Sequence, residues 1–217
     1  MLTLHTADLL VTGDPRRAPL PRGALLADGR TIAAVGPYDE LAAAHPAARV
    51  RRWPGLLTPG LLNPYGPELL ERTYHPDPRE ADALGGEPLT GETALAALGM
   101  TDARWGASAR RGVQRMLAHG TVAVAGPLRR PAVADAVRRA GMTSRERAAE
   151  PPGPPSLDPL AGRRPLAEAV LAPLLPYEGR AATFAVFDVP DETALAGRGA
   201  AACVATVIEG RLLYRRR

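Results

Sequence analysis

The sequence contains no lysine and few aromatic residues. All 27 basic residues of the 217-residue chain are arginine, and they are spread along it singly or in pairs, apart from the short run Arg215–Arg217. Aromatic residues, which could stack on nucleic-acid bases, make up only 4% of the chain. A formal net charge of +4 without a clustered basic surface therefore argues against nucleic-acid binding.

Cysteine and long apolar runs are also scarce. Cys203 is the single cysteine, which excludes an internal disulfide and a cysteine-cluster metal site. It lies in an apolar run, and this predicts a small buried residue. No apolar run approaches the roughly 20 residues that cross a bilayer, and residues 1–10 carry His5 and Asp8 where a signal peptide has its apolar stretch. We therefore expect a cytoplasmic protein without membrane contact.

Both ends of the chain are rich in short strand patterns. Near the start, alternating or β-forming residues predict strands at 2–12, 23–27, 31–35 and 49–53, with a short helix at 39–45. Near the end, they predict strands at 182–189, 201–209 and 211–214. Turn signals such as Asp28-Gly29 separate these strands, so the front half predicts a small antiparallel sheet.

The middle of the chain is helical and then rich in proline. Apolar residues at spacings of three and four predict a helix over 103–119, which Gly120 ends. A strand at 121–125 and a helix at 131–140 follow. Residues 145–165 contain six prolines and no apolar period, which predicts an extended or mobile linker before a short helix at 166–172.

The segment between these parts, Trp53–Pro67, reads WPGLLTPGLLNPYGP. Its two Pro-Gly pairs predict a strand between tight turns. Residues Pro59–Asn63 resemble the first barrel strand of the amidohydrolase superfamily, where a Pro-Gly-apolar-apolar-(Asn/Asp)-X-His-X-His segment brings two histidines to a catalytic metal. Tyr65 and Pro67 stand at the two histidine positions. Proline has no side-chain donor and tyrosine is an uncommon zinc ligand, so we expect no metal here.

Other phrases strengthen this resemblance. ADLLVTGD and ADGRTIAAVGPYDELAAAHP at the front, with FAVFDV and ATVIEGRLLY at the back, resemble the imidazolonepropionase and aminodeoxyfutalosine deaminase branch. Those enzymes build a composite β-sandwich from both chain ends, with a (β/α)8 barrel inserted between. A barrel takes about 250 residues, but only about 110 separate Asn63 from Tyr177. The resemblance thus implies a truncated barrel that lacks the later metal ligands as well.

We therefore predict a mixed α/β (α+β) fold, with a small composite β-sandwich and a remnant of a (β/α)8 barrel. The predicted segments are a discontinuous sandwich domain at 1–58 and 177–217, a mostly helical barrel remnant at 59–144, and a linker with a short helix at 145–176. An incomplete barrel cannot close. We expect the apolar faces of Leu61, Leu62 and strand 121–125 to be exposed unless helices or another chain cover them.

His75 and Asp77 form the only local His/carboxylate cluster. Together with Tyr65 they are the candidate catalytic residues, since a pocket could assemble a general base from them. Prolines at 76 and 78 favour the simpler interpretation that both are solvated residues of an irregular loop. The four histidines are scattered and form no His-X-His pair, so the sequence predicts no metal or other cofactor.

The sequence leaves three functional hypotheses open. The favoured one is a degenerate, non-catalytic amidohydrolase-like protein, or pseudoenzyme, which acts as a scaffold or regulatory partner in a homo-oligomer or with a related protein. The second is a metal-dependent hydrolase of non-peptide carbon-nitrogen bonds, with zinc or iron ligands completed by a partner subunit. The third is a ligand-binding module, which requires a pocket between the sandwich and helix 103–119.

Overall fold

The computed structural model describes residues 1–147, 149–175 and 179–216. Numbered along the chain, its strands are β1 (Leu2–Thr6), β2 (Leu9–Leu10), β3 (Leu20–Pro21), β4 (Gly23–Asp28), β5 (Thr31–Pro37), β6 (Arg49–Arg52), β7 (Leu56–Pro59), β8 (Leu61–Asn63), β9 (Thr73–Tyr74), β10 (Leu89–Thr90), β11 (Thr121–Ala125), β12 (Thr143–Arg145), β13 (Phe184–Phe187), β14 (Cys203–Ile208) and β15 (Arg211–Arg215).

The α-helices are α1 (Tyr38–Ala44), α2 (Gly66–Leu70), α3 (Ala81–Leu84), α4 (Glu92–Ala97), α5 (Asp102–Leu117), α6 (Pro131–Arg139), α7 (Leu166–Ala169) and α8 (Glu192–Arg198). Short 3-10 helices cover Pro78–Glu80, Ala161–Arg163 and Ala200–Ala202. No helix in the described part of the chain is long and apolar enough to span a membrane. The mixture of helices and several sheets confirms the mixed α/β class.

Contacts group the chain into two compact units. The first comprises Met1–Leu62, Leu117–Val122 and Asp158–Arg217, and the second comprises Asn63–Met116 and Ala123–Leu157. The division into three segments that the sequence suggests stays a prediction. Its boundary between residues 176 and 177 lies outside the described residues.

One sheet of the first unit has the strand order β5-β4-β1-β6. Strand β4 is antiparallel to both β1 and β5, whereas β6 is parallel to β1. The prediction of an all-antiparallel sheet is therefore wrong at β6. The reason is that α1 forms a crossover between β5 and β6, and a helical crossover returns the chain in the same direction.

The other sheet of this unit has the order β15-β14-β13-β7-β2-β3. Strand β13, from the end of the chain, pairs antiparallel with β7 from the front. Strand β7 pairs in parallel with β2, and β13 pairs antiparallel with β14. Strands from both ends of the chain thus share one sheet, which confirms the composite arrangement.

The predicted strand at 2–12 is in fact two strands that belong to different sheets. Strand β1 lies in the four-stranded sheet and β2 in the six-stranded sheet. Between them, the Asp8 carboxylate accepts a hydrogen bond from the Gly55 N–H at 2.7 Å. Gly55 has φ +69°, and a Cβ there would lie 2.4 Å from the Phe187 carbonyl oxygen, so only glycine fits this corner.

The core of the sandwich follows from side-chain alternation along β13. Phe184 and Val186 face a buried cluster that includes Leu25 of β4 and Ile32 of β5, while Ala185 and Phe187 face a second cluster on the opposite side. Because successive side chains of a strand point to opposite faces, β13 is buried on both sides. Cys203 is buried in the second cluster, as predicted, and burial raises the pKa of its thiol to about 11.

Of the apolar faces that the sequence leaves uncovered, Leu61 and strand β11 are buried, whereas Leu62 is partly exposed. Leu61 is fully buried and belongs to the same cluster as Leu166 and Val170 of the segment that starts at α7. All five residues of β11 are buried as well. Among the described residues, the exposed large hydrophobic side chains are Met1 and Val50. The condition attached to that prediction therefore applies: the chain itself covers Leu61 and β11, so these faces are not exposed.

The second unit contains the long helix α5 and part of a βαβ element. Four apolar side chains of α5 at spacings of three and four are buried: Trp105, Ala109, Val113 and Met116. This confirms the amphipathic helix that the sequence predicts. Residues 123–125 of β11 pair in parallel with β12, and α6 lies between them in the chain.

His5 is a buried histidine of the first unit. Its Nδ1 accepts a hydrogen bond from the Trp53 Nε1–H at 3.2 Å, and the edge of its ring meets Phe184 at 4.8 Å between centroids. Burial, aided by the nearby Arg51, lowers the pKa of His5 to about 4. A ring that accepts this bond at Nδ1 must be neutral there, so protonation opposes folding.

We expect acid to destabilise the protein through His5. Because its pKa is lower in the folded chain than the ordinary 6.5, its contribution is fully present above about pH 6.5 and is lost as the pH falls toward 4, at about 1.4 kcal/mol per pH unit. The free energy of unfolding can be measured with urea at several pH values across this range. Its change per pH unit should be smaller in His5→Phe than in the wild type by the amount that one proton contributes. The control Thr6→Val removes a buried hydrogen bond to Gly23 O and should leave the slope unchanged. An unchanged slope in His5→Phe would contradict the assignment.

Candidate functional site

The candidate site lies where β8 ends and α2 begins. Asn63, the last residue of β8, is fully buried. Its side-chain oxygen accepts the Tyr65 N–H at 2.9 Å, and its Nδ2 donates to Ser156 O at 2.9 Å and to Leu157 O at 3.3 Å. Every donor and acceptor group of this amide therefore has a protein partner.

Tyr65 continues the same set of contacts. Its hydroxyl donates to the carbonyl oxygen of Pro152 at 2.5 Å, and its side chain is largely buried. Pro67 lies in the first turn of α2, and a Cβ at Gly126 would come within 2.6 Å of its ring. At the two positions that carry histidine in the amidohydrolase motif, Tyr65 thus makes a structural hydrogen bond and the ring of Pro67 is packed against its neighbours.

The proline-rich residues that follow 148 make ordered contacts in the second unit. The carbonyl groups of Pro152, Ser156 and Leu157 accept the bonds from Tyr65 and Asn63. Proline cannot donate from its backbone nitrogen, but its carbonyl remains a full acceptor. This part of the predicted linker is consequently attached to the end of β8.

A charged pair lies beside this segment. Arg147 makes two hydrogen bonds to the Glu68 carboxylate, at 3.0 and 3.1 Å, and a third to Pro64 O at 2.9 Å. Burial alone would raise the pKa of Glu68, but the hydrogen bond and charge of Arg147 outweigh it, and the pKa lies below its usual range. Glu68 is therefore an ionised, paired carboxylate.

His75 is fully buried, so the prediction that it is a solvated loop residue is wrong. Its backbone N–H donates to Ser108 Oγ at 2.9 Å, and its Nε2 lies 2.8 Å from Leu69 O. A carbonyl oxygen only accepts, so the proton is on Nε2. Nδ1 is buried and has no hydrogen-bond partner among the described residues, and burial lowers the pKa of this imidazole.

Asp77 does not pair with the His75 ring. One carboxylate oxygen accepts the Arg79 N–H as the cap of the 3-10 helix, and the other lies 3.2 Å from Arg111 Nη1. Arg111 also donates from Nε to the backbone oxygen of His75 at 2.7 Å. Arg111 thus contacts the backbone oxygen of His75 and the carboxylate of Asp77. The side chains of His75 and Asp77 themselves bond to different partners. As a catalytic set, His75, Asp77 and Tyr65 stay a prediction.

The side chains at the end of β8 lack the ligands that a catalytic metal requires. A catalytic zinc takes three protein ligands from His, Cys or carboxylate side chains. Within residues 1–147, 149–175 and 179–216, no three such side chains come together in a way that could hold a metal ion. The residues at the end of β8 do not fit a metal.

The second unit has an open cleft of about 1190 Å³ that no pattern in the sequence predicts. It brings together α2, the start of α4, Trp105 of α5 and the proline-rich residues 154–157. These residues are far apart in the chain, and no local pattern brings them together. The periodicity of α5 does predict that Trp105 is buried, which it is.

The comparisons with known proteins identify one family segment. Residues 23–48 match the bacterial imidazolonepropionase-like composite domain. This range covers β4, β5 and α1. The resemblance that the strand phrases indicate is therefore confirmed at this segment. No curated protein matches the chain.

Three solved structures illustrate the similarity. The chain is similar to A. niger ochratoxinase (22% identity, TM-score 0.46, 67% of this chain and 31% of that chain). It is also similar to Helicobacter pylori aminofutalosine deaminase (12%, 0.44, 67% and 33%) and to E. coli guanine deaminase (16%, 0.46, 67% and 36%). The chain thus spans about a third of the length of each of these proteins.

We expect Asn63 to hold the proline-rich segment in place. Asn63→Ala removes three hydrogen bonds and leaves buried backbone groups unpaired, so it should lower the free energy of unfolding by about 2 kcal/mol or more. Tyr65→Phe removes one bond and should cost about 1 kcal/mol. Urea unfolding measures both, and trypsin cleavage after Arg147 should become faster in the order wild type, Tyr65→Phe, Asn63→Ala. Equal cleavage of all three would show that the segment is held by other contacts.

Proposed function

We propose that this chain is a non-catalytic, amidohydrolase-like protein that acts as a scaffold or regulatory partner of another protein. The observation that carries the proposal is that the side chains at the end of β8 make structural contacts within the protein. The side chains of Asn63 and Tyr65 donate hydrogen bonds to the segment 152–157, and the Asn63 side-chain oxygen accepts the Tyr65 N–H. Pro67, at the second histidine position of the motif, has no side-chain atom that can coordinate a metal.

The composite sandwich supports a binding role more than a catalytic one. Its segment 23–48 matches the composite-domain family, and its core is built from strands of both chain ends. In such proteins function depends on the site and not on the fold. A sandwich that persists without the metal ligands of the barrel strand is consistent with a surface that serves another protein.

The partner in this proposal is a second copy of the chain or a related protein. Strand β6 is the outer strand of the four-stranded sheet and carries Val50, which is 37% exposed. Arg49 and Arg52 of the same strand are exposed as well. An outer strand offers unpaired backbone groups, so a strand of the partner can pair with it there.

A hydrolase acting on non-peptide carbon-nitrogen bonds is the competing hypothesis. It would need zinc or iron, and the ligands would have to come mainly from a partner subunit. The two hypotheses therefore differ in whether the purified protein retains a metal.

Metal analysis of the purified chain tests the proposal. We expect zinc and iron far below one atom per chain, because the donors at the β8 end have other partners. We also expect light scattering on the same sample to show a mass above that of one chain, or a mass increase on mixing with a related amidohydrolase. Stoichiometric metal that is lost in Tyr65→Phe, but kept in the control Tyr214→Phe, would refute the non-catalytic assignment. A strictly monomeric chain that binds no such enzyme would refute the scaffold role.

A further inference from the structure

The cleft of the second unit has an apolar wall and a charged rim. The apolar wall consists of Leu69, Pro88, Leu95, Ala96, Met100, Trp105, Pro154, Pro155 and Leu157. The charged side chains that line it are Glu68, Glu71, Arg72, Glu92 and Arg130. A concave apolar surface with a few polar groups is the usual form of a small-molecule site.

Two of the three acidic groups are already engaged by the protein. Glu68 is held by two hydrogen bonds from Arg147. Glu71 accepts the backbone N–H of Arg130 at 2.6 Å, directly before α6, where the positive end of the helix dipole also favours a carboxylate. These acids are therefore poorly suited to bind a cationic ligand.

The two arginines of the rim are less engaged, although the charge of Arg72 helps to lower the pKa of Glu68. In the part of the chain that the structure describes, neither Arg72 nor Arg130 forms a salt bridge through its guanidinium group. The Arg130 guanidinium lies 4.6 Å from the centre of the Trp105 ring. A guanidinium over an aromatic face is a cation–π contact, and such a contact does not use the N–H hydrogens as hydrogen-bond donors. A planar guanidinium with free N–H groups matches a carboxylate in two parallel hydrogen bonds.

We propose that this cleft binds small aromatic carboxylates. The carboxylate is held by Arg130 and Arg72, and the ring lies against the apolar wall that Leu95, Met100 and Leu157 provide. Glu92, the remaining acid, disfavours ligands with additional negative charge. Neither Asn63 nor Tyr65 lines the cleft, and binding there does not depend on the proposed scaffold role.

Calorimetric titration with a matched ligand series tests the site. The probes are 2-naphthoate, its neutral amide 2-naphthamide and the cationic 2-naphthylmethylamine. We expect binding of the carboxylate and a loss of affinity of about tenfold or more for the amide, because a hydrogen bond to a charged group is the stronger one. The amine should bind least.

Variants locate the site within the protein. Arg130→Gln and Arg72→Gln should each weaken naphthoate binding by about tenfold or more. The matched control is Arg129→Gln, which changes an exposed neighbouring arginine that does not line the cleft. Thermal melting should confirm that all three variants fold as the wild type does.

Several outcomes would overturn the proposal. Equal affinity for carboxylate and amide would show that the arginines do not select the ligand. Tighter binding of the amine would assign the cleft to cations. The same loss in Arg129→Gln as in Arg130→Gln would show a general charge effect, and absence of binding by all three probes would refute an aromatic site. Metal content plays no part in this test, so its failure is distinguishable from that of the non-catalytic assignment.

Discussion

The buried amide of Asn63 is the interaction on which the second unit depends most. A buried polar side chain is tolerated only when its hydrogen bonds are made, and Asn63 makes one to Tyr65 and two to the carbonyl groups of residues 156 and 157. These bonds connect the end of β8 to residues that lie more than ninety positions later in the chain. The same residues form one wall of the cleft. A single side chain thus fixes both the strand end and the cleft wall.

This arrangement also explains how a segment rich in proline becomes ordered without secondary structure. Proline removes backbone donors, so such a segment cannot form a helix or join a sheet interior. Its carbonyl groups still need partners, and the side chains of Asn63 and Tyr65 supply donors to them. The Arg147–Glu68 pair fixes the start of the segment. Order here comes from side chains and not from the backbone ladder.

Local patterns in the sequence predicted much of the fold. The strands near 23–28 and 121–125 and the helix over 102–117 have clear periods of two or 3.6, and the structure confirms them. What local patterns missed depends on distant partners. The break between β1 and β2 arises from the bond between Asp8 and Gly55, and the burial of His75 arises from contacts with Leu69 and with Ser108 of α5. Flanking prolines correctly indicated irregular backbone near His75 but carried no information on burial.

The sequence predicts the candidate site only as a place where the chain departs from the amidohydrolase motif. Tyr65 and Pro67 at the histidine positions can be read from the sequence, but the carbonyl that receives the Tyr65 hydroxyl cannot. The most direct test of the central claim is anomalous diffraction at the zinc absorption edge from crystals grown with zinc. The account predicts no anomalous peak at the end of β8 and an intact bond from Tyr65 to Pro152. A peak within coordination distance of Tyr65 would contradict it.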